Sequence, residues 1–544
     1  MGTVLKRCPS RRLLHATVLA VWLAQACSVA FGAQDLLELT VRPGDTLIGI
    51  GQRYLDQPSR WPELQKLNQI RNNRRLRPGT ALRVPTDWLR WSALTAEVVH
   101  VTGAVSGNKG PLVAGMRLGA GDSFDTGPQG AVTLRFPDGA LAVFAPLTRA
   151  GLGESREAPA VGIRATTIEL QRGSVDTTAT PLKEPASRFD VRTPRVVTAV
   201  RGTRFRVALE DEVSRHEVLE GRVALAGAAP EPVPVAQGEG VRAQGGQLGR
   251  VVQLLAAPDV SALPRRVERT AQPLQVPPMP GAVGWRWQVA GDSAFTQLLQ
   301  DVKTRGPVWV LTALPDGDYH LRVRAADAQD LEGRESAIAL VVAARPEPPL
   351  QIAPPAGASV TAGAPLVWTE QPGVPAYHLQ VARDAAFADR VVDRVDIATA
   401  RWLPDSALPP GTYYWRLASQ RRDGPRGPFG DAGSFTVLEP SAVAPPQVGD
   451  GGLRLAWSGP PGFSHRVQLS RDAAFASTAV DQVVAGASLE LPKPEPGAYH
   501  VRTQVMLPDG SSGPWSSTQR FEVPEPPPQH PWGLLLLLLL PFLL

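Results

Sequence analysis

The sequence predicts a multidomain, mainly β protein: a small βααβ module, an antiparallel β domain and three β-sandwiches. Three observations carry this. The 544 residues exceed one ordinary domain. Proline (54) and glycine (51) are abundant while only 6% of residues are aromatic, a mix suited to short strands joined by turns. A pair of strand motifs also recurs three times in the second half of the chain, at spacings of 92 and 88 residues.

In chain order, Lys6, Arg7, Arg11 and Arg12 precede the apolar run Leu13 to Ala26 and the small-residue site Ser28-Val29-Ala30. Residues 1–30 therefore read as an export signal, which places the protein in the periplasm or cell envelope of a Gram-negative bacterium. The only cysteines, Cys8 and Cys27, lie inside that signal. A chain cleaved after Ala30 has no thiol, which excludes disulfides, thiolate metal sites and cysteine nucleophiles.

Residues 39–85 read as strand, helix, helix, strand. Leu39 and Val41 alternate; Asp45 or Thr46 caps a helix through Leu47, Ile50 and Tyr54. Trp61, Leu64 and Leu67 are spaced by threes on a second helix that Asn68 ends, and Pro78-Gly79 turns the chain into the strand 81–85. Pro-Gly-Asp-Thr alone is a common turn and cap. A phosphate loop would need more glycines and a Lys-Ser/Thr, which are absent.

Three blocks of this segment together resemble a LysM domain, a module that binds peptidoglycan and chitin. They are Val41-x-Pro43-Gly44-Asp45-Thr46-Leu47, Trp61-x-Glu63-Leu64-x-x-Leu67-Asn68, and Leu76-x-Pro78-Gly79-x-x-Leu82-x-Val84-Pro85. The resemblance implies a glycan groove with Gly44, Asp45, Thr46 and Leu47 on one side and Asn68, Ile70, Pro78 and Gly79 on the other. Its backbone groups would bond the acetamides of N-acetylglucosamine, while Leu47 and Ile70 meet the methyl. Arg71, Arg74, Arg75 and Arg77 make that loop more basic than is usual in the family. A solvated loop is the preferred reading, and attraction to anionic stem peptides or teichoic-like polymers is the alternative.

Residues 96–256 alternate as strands. Ala131 to Phe136 turns at Pro137-Asp138-Gly139 into Ala140 to Phe144, a hairpin pattern. Farther on come Phe189 to Thr193, Val200-Arg201-Gly202-Thr203-Arg204-Phe205, an acidic turn at 210–212, and Val218-Leu219-Glu220-Gly221-Arg222-Val223. Gly202 and Gly221 are expected where φ is unusual, Arg201 and Glu220 as a cross-strand pair, and His216 as a lone histidine on an apolar face. This string resembles a FecR domain, the periplasmic sensory β domain of iron-siderophore regulators. Those regulators carry an anti-sigma segment and a membrane helix where this chain has an export signal and the 39–85 module. An envelope interaction module is thus implied, with signalling as the alternative.

The repeats are WRWQVAGDSAF, YHLQVARDAAF and HRVQLSRDAAF, each followed by LPDGDYHLRVRA, LPPGTYYWRLAS or PEPGAYHVRTQV. Period-two alternation, Trp368 and Trp457 ahead of the first motif, and a Gly-x-Tyr corner resemble immunoglobulin and fibronectin type III sandwiches. Proline-rich joints bound them at 270–345, 350–438 and 447–524. The first unit has Val276 at the tryptophan position, so its core is built differently. Residues 525–544 are a proline-rich linker and the apolar tail Trp532–Leu544. As a helix the tail reaches about 20 Å against the roughly 30 Å of a bilayer core, so it is read as a membrane contact or anchor, the alternative being a tail docked on protein.

Formal net charge is +5 and the arginines are spread without interleaved aromatics, so no nucleic-acid partner is expected. No metal-spaced histidines or Gly-x-Ser-x-Gly elbow occur, and no catalytic residue, metal or cofactor is expected. The expected function is non-enzymatic peptidoglycan binding, with the β domains contacting other envelope proteins. The alternative is a periplasmic sensor acting through the FecR-like domain.

Overall fold

In the computed structural model, which describes residues 36–526 except 182, 183, 185, 201, 423 and 509, about 50% of the chain is strand and 4% helix. Residues 1–30, expected to be an export signal, the tail Trp532–Leu544 and Arg201 lie outside the described residues. The chain forms two compact units that divide between Val252 and Gln253.

In the first unit, strand β1 (Leu36–Thr40) pairs antiparallel with β2 (Ala81–Pro85), Leu36 opposite Pro85 and Thr40 opposite Ala81. Thr46 caps helix α1 (Leu47–Tyr54), its Oγ1 accepting from Gly49 N at 3.1 Å. The 3.6-residue period then buries Leu47, Ile50, Gly51 and Tyr54 on one side. Helix α2 (Trp61–Leu67) sits more shallowly: Leu64 is buried, Trp61 half-buried and Leu67 exposed. The core under these elements continues through Trp88, Leu89 and Trp91 onto Ala158, Val161 and Ile163 of the next domain.

Between Ser92 and Gln253 the strands close into a barrel. The expected hairpin forms from Ala131–Arg135 and Leu141–Phe144, with Phe144 facing Val132. Inward alternation builds a core in which Phe124 meets Phe144 and Phe136 meets Phe189 edge-on, with ring centroids 4.9 and 5.3 Å apart. The antiparallel expectation fails at one pair, Ile163–Thr178 with Arg188–Arg192, which run parallel.

Gly202 and Gly221 both have positive φ, +67° and +82°. Glu220 lies opposite Arg204, with a bulge beside it. His216 is buried but not among apolar groups alone. Its Nδ1 and Nε2 lie 2.9 Å from Thr198 Oγ1 and Ser214 Oγ. Desolvation lowers its pKa to about 3.

The second unit contains three successive sandwiches, each a large sheet facing a small one. In the first, the strands Arg266–Val267, Glu332–Val342, Gly317–Ala326, Gly284–Ala290 and Leu298–Thr304 face the pair Ala271–Gln275 and Val308–Thr312. Val276 is buried there, and Trp287 takes over the core 6.0 Å from Trp309. Trp368 and Trp457 fill the small sheets of the second and third. Tyr319 and Tyr413 hydroxyls donate to the carbonyls of Pro315 and Pro409, four residues back, as a tyrosine corner requires.

Candidate binding site

Two like turns define the site. Asp45 N–H donates to Arg42 O at 3.1 Å, and Thr80 N–H donates to Arg77 O at 3.1 Å, closing Arg42-Pro43-Gly44-Asp45 and Arg77-Pro78-Gly79-Thr80. Gly44 and Gly79 have φ of +86° and +84°, the left-handed conformation that the third position of a proline-led turn requires. The turns lie side by side, because Val41 N–H donates to Thr80 O and Gly79 N–H to Val41 O, both at 2.8 Å. Both glycines are exposed and a side-chain carbon at either would meet nothing within 4 Å, so the surface is open backbone. Gly44 N–H makes no hydrogen bond among the described residues.

The eight expected site residues do not all reach this surface. Gly44, Pro78 and Gly79 do. Asp45 accepts from Arg42 N at 2.8 Å and pairs with Arg53 at 3.4 Å, and Thr46 is occupied as the helix cap. Leu47 is 0% exposed and its N–H donates to Asn73 O, so its side chain belongs to the core beneath the lip and cannot meet a ligand methyl. Asn68 is committed as well: Nδ2 donates to Leu64 O and Arg83 O at 2.9 and 2.8 Å, and Oδ1 accepts from Arg83 N at 2.6 Å. Ile70 is half-buried and packs against the core. Ile48, 42% exposed in the first turn of α1, was not expected; its position off the buried stripe of 47, 50, 51 and 54 is the signal that marks it.

The loop from Arg71 to Arg77 is fastened to both lips. Asn73 O receives the Leu47 N–H at 3.3 Å, Gln65 Nε2 donates to Ile70 O at 2.8 Å, and Asn72 Oδ1 accepts from Arg74 N at 2.9 Å.

A cavity of about 1040 Å³ lies at the other end of the β1–β2 pair, between Leu36 to Glu38 and the barrel face carrying Arg188, Asp190 and Ala199. Three of its charges are paired: Glu154 bridges Arg156 and Arg188, and Asp190 meets Arg192 at 3.4 Å. Burial raises the pKa of Asp190 against the pull of these arginines. Among the described residues, no group of three or more His, Cys, Asp or Glu is placed to hold a metal. No helix among them is long and apolar enough to cross a membrane.

The described residues are mainly β. The chain's first two domains have family matches: residues 39–85 match the LysM domain, and residues 122–224 match the FecR protein. The chain thus carries a LysM domain followed by a FecR domain. A LysM domain implies binding of peptidoglycan or a related glycan, and a FecR domain implies a part in signalling; neither is a catalytic domain, and both are typical of cell-envelope proteins. No curated protein matches the chain.

Among solved structures, a protein described as an anti-sigma factor from Parabacteroides distasonis is similar at 16% identity and a TM-score of 0.20, over 24% of this chain and 58% of its own. This chain therefore spans a little over half of that relative. The first three fibronectin domains of chicken CNTN1 are similar at 15% identity and a TM-score of 0.20, over 48% of this chain and 96% of theirs.

Proposed function

We propose that this protein is a non-enzymatic component of the cell envelope that holds peptidoglycan at the paired Pro-Gly turns of its LysM domain. Pro43-Gly44, Pro78-Gly79 and Ile70 form the binding surface; Asp45, Thr46, Leu47 and Asn68 shape it from beneath. The domains proposed at 96–256, 270–345, 350–438 and 447–524 carry contacts to other envelope components. The observation that supports this best is the coincidence of the LysM match with two exposed, side-by-side turns whose open backbone suits acetamide groups.

Sedimentation with purified sacculi tests it. The full-length mature protein is expected to co-sediment and to be released by soluble N-acetylglucosamine oligomers, and Ile70→Asp to weaken retention. Sedimentation that the oligomers leave unchanged would count against the reading. Deleting the domain is a poorer test, because Ala158 and Ile163 would lose their cover.

The FecR match supports a second reading, a sensor role. That reading expects loss of the gene to change transcription of a defined target set while wall binding by the purified protein stays intact.

A further inference from the structure

The positive charge of this chain is concentrated beside the proposed groove. Residues 36–91 contain ten basic and five acidic side chains, whereas the 453 residues after Trp91 contain 42 basic and 45 acidic. Within the LysM domain the acid at the first turn is engaged: Asp45 takes Arg53 and the Arg42 N–H. Two of its other arginines are used structurally, Arg60 over the Trp88 ring at 5.4 Å and Arg90 on the Gln52 and Leu55 carbonyls.

Arg71, Arg74, Arg75 and Arg77 are different. All four are exposed, and their side chains have no ion-pair, hydrogen-bond or ring partner among the described residues. Their backbone is nevertheless fixed, because the loop is bonded to the start of α1 through Asn73 and to Gln65 through Ile70. They stand between two groove positions, Ile70 and Pro78. Four exposed guanidinium groups are thus carried on one short loop between two positions of the proposed groove. Like charges held this close repel one another, and an anionic ligand relieves that cost while forming forked hydrogen bonds to carboxylate or phosphate.

We infer that the groove selects anionic wall glycan over neutral N-acetylglucosamine polymer, with the 71–77 arginines contacting carboxylate or phosphate groups attached to the bound strand. This rests on the peptidoglycan reading above. It revises the solvated-loop reading of the sequence, because solvation alone gives no reason for the charge to gather at the groove while the rest of the chain is slightly acidic.

The test compares full-length mature protein with a quadruple Arg→Gln variant at 71, 74, 75 and 77 on two solids, purified sacculi and neutral chitin. Wild type is expected to bind sacculi more tightly at about 20 mM than at about 300 mM salt, and chitin equally at both. The variant should lose about tenfold on sacculi at low salt, the sum of four modest exposed contacts, and lose nothing on chitin. A quadruple Arg→Lys variant, which keeps the charge but not the forked hydrogen bonds, should retain part of the sacculus binding together with its salt dependence.

Equal loss on both solids would mean a deformed lip and would overturn the inference, as would no loss on sacculi or a heparin affinity equal to that for sacculi. Wild type that binds neither solid removes the peptidoglycan reading, and the inference with it. Wild type that binds chitin and sacculi alike at every salt removes the inference alone. Amidating the sacculus carboxylates, or stripping phosphodiester polymers with hydrofluoric acid, identifies which anion is recognised, since only removal of the right one erases the difference between wild type and variant.

Discussion

Asn68 behaves at the end of α2 as a strand residue would, giving and taking one hydrogen bond with the backbone of Arg83 while also capping Leu64 O. Its amide thus stitches a helix end to β2, a role that the LysM pattern cannot reveal because the pattern records residue type and not bonding. Asn68→Asp removes both N–H donors and sets a carboxylate against two carbonyls, so the first unit should lose about 2 kcal/mol of stability in urea unfolding. Asn68→Asp that unfolds as wild type does would show that the stitch is not made. His216 is the second case. The sequence showed its parity with Val218 but not the hydroxyls of Thr198 and Ser214, because Thr198 arrives from a strand on the opposite sheet. Its pKa falls from 6.5 to about 3 through desolvation, so the fold holds the neutral ring. The unfolded chain takes up a proton below pH 6.5 that the folded barrel refuses. Stability is therefore fully present above pH 6.5 and is lost as pH falls, by up to about 1.4 kcal/mol per unit down to pH 3. Unfolding midpoints of the barrel transition at pH 7.5 and pH 5.5 should show this loss in wild type and a smaller one in His216→Gln.

At the scale of elements, one strand carries the barrel closure. Ile163–Thr178 pairs with Arg149–Ala158 and Arg188–Arg192 in one sheet, then with Leu141–Phe144 and Arg204–Glu210 in the other. The change of sheet falls at Gly173, with φ of +89°, where an added Cβ would lie 2.4 Å from Thr148 Cα. Gly173→Ala thus combines strain with a backbone clash and should cost about 2–4 kcal/mol, measured as a lowered barrel midpoint with the second unit's transition unchanged. The sequence offered this glycine inside an alternating run and no sign of the crossing, since sheet membership is a long-range property. The sandwiches show the opposite balance. Their strands and corners were legible from repetition, while the reason for the repetition was not. Register puts Gln288 opposite Arg322, Gln380 opposite Arg416 and Gln468 opposite Arg502. Each arginine bonds its glutamine and lies over Phe295, Phe387 or Phe475 at 4.0 to 4.2 Å, and each glutamine reaches Asp301, Asp393 or Asp481. Alternation reveals which face a side chain takes, but not which partner thirty-four or thirty-six residues away stands opposite it.

At the scale of the first unit as a whole, the LysM domain is not a bead on a string. The stretch 86–95 lay between two expected domains and carried no strong period, so nothing in its pattern announced a joint. In the structure Leu89 is 1% exposed and enters one core with Leu47, Leu55 and Leu82 of the LysM domain and with Ala158 and Ile163 of the barrel. Arg156 of the barrel lies 4.2 Å over the Trp91 ring, and Ser92 and Ala93 pair with Glu157 and Arg156. The two domains therefore share one packed core, so a loss of packing in it weakens both. Leu89→Ala tests the joint. Truncating a fully buried leucine costs about 2–5 kcal/mol, and here the loss falls on a core that both domains share. Scanning calorimetry of the full-length protein should show the LysM and barrel transitions both moving to lower temperature in the variant, with the transition of the second unit in place. A variant that lowers only the LysM transition would mean that the two domains unfold independently, and that the shared core transmits nothing between them.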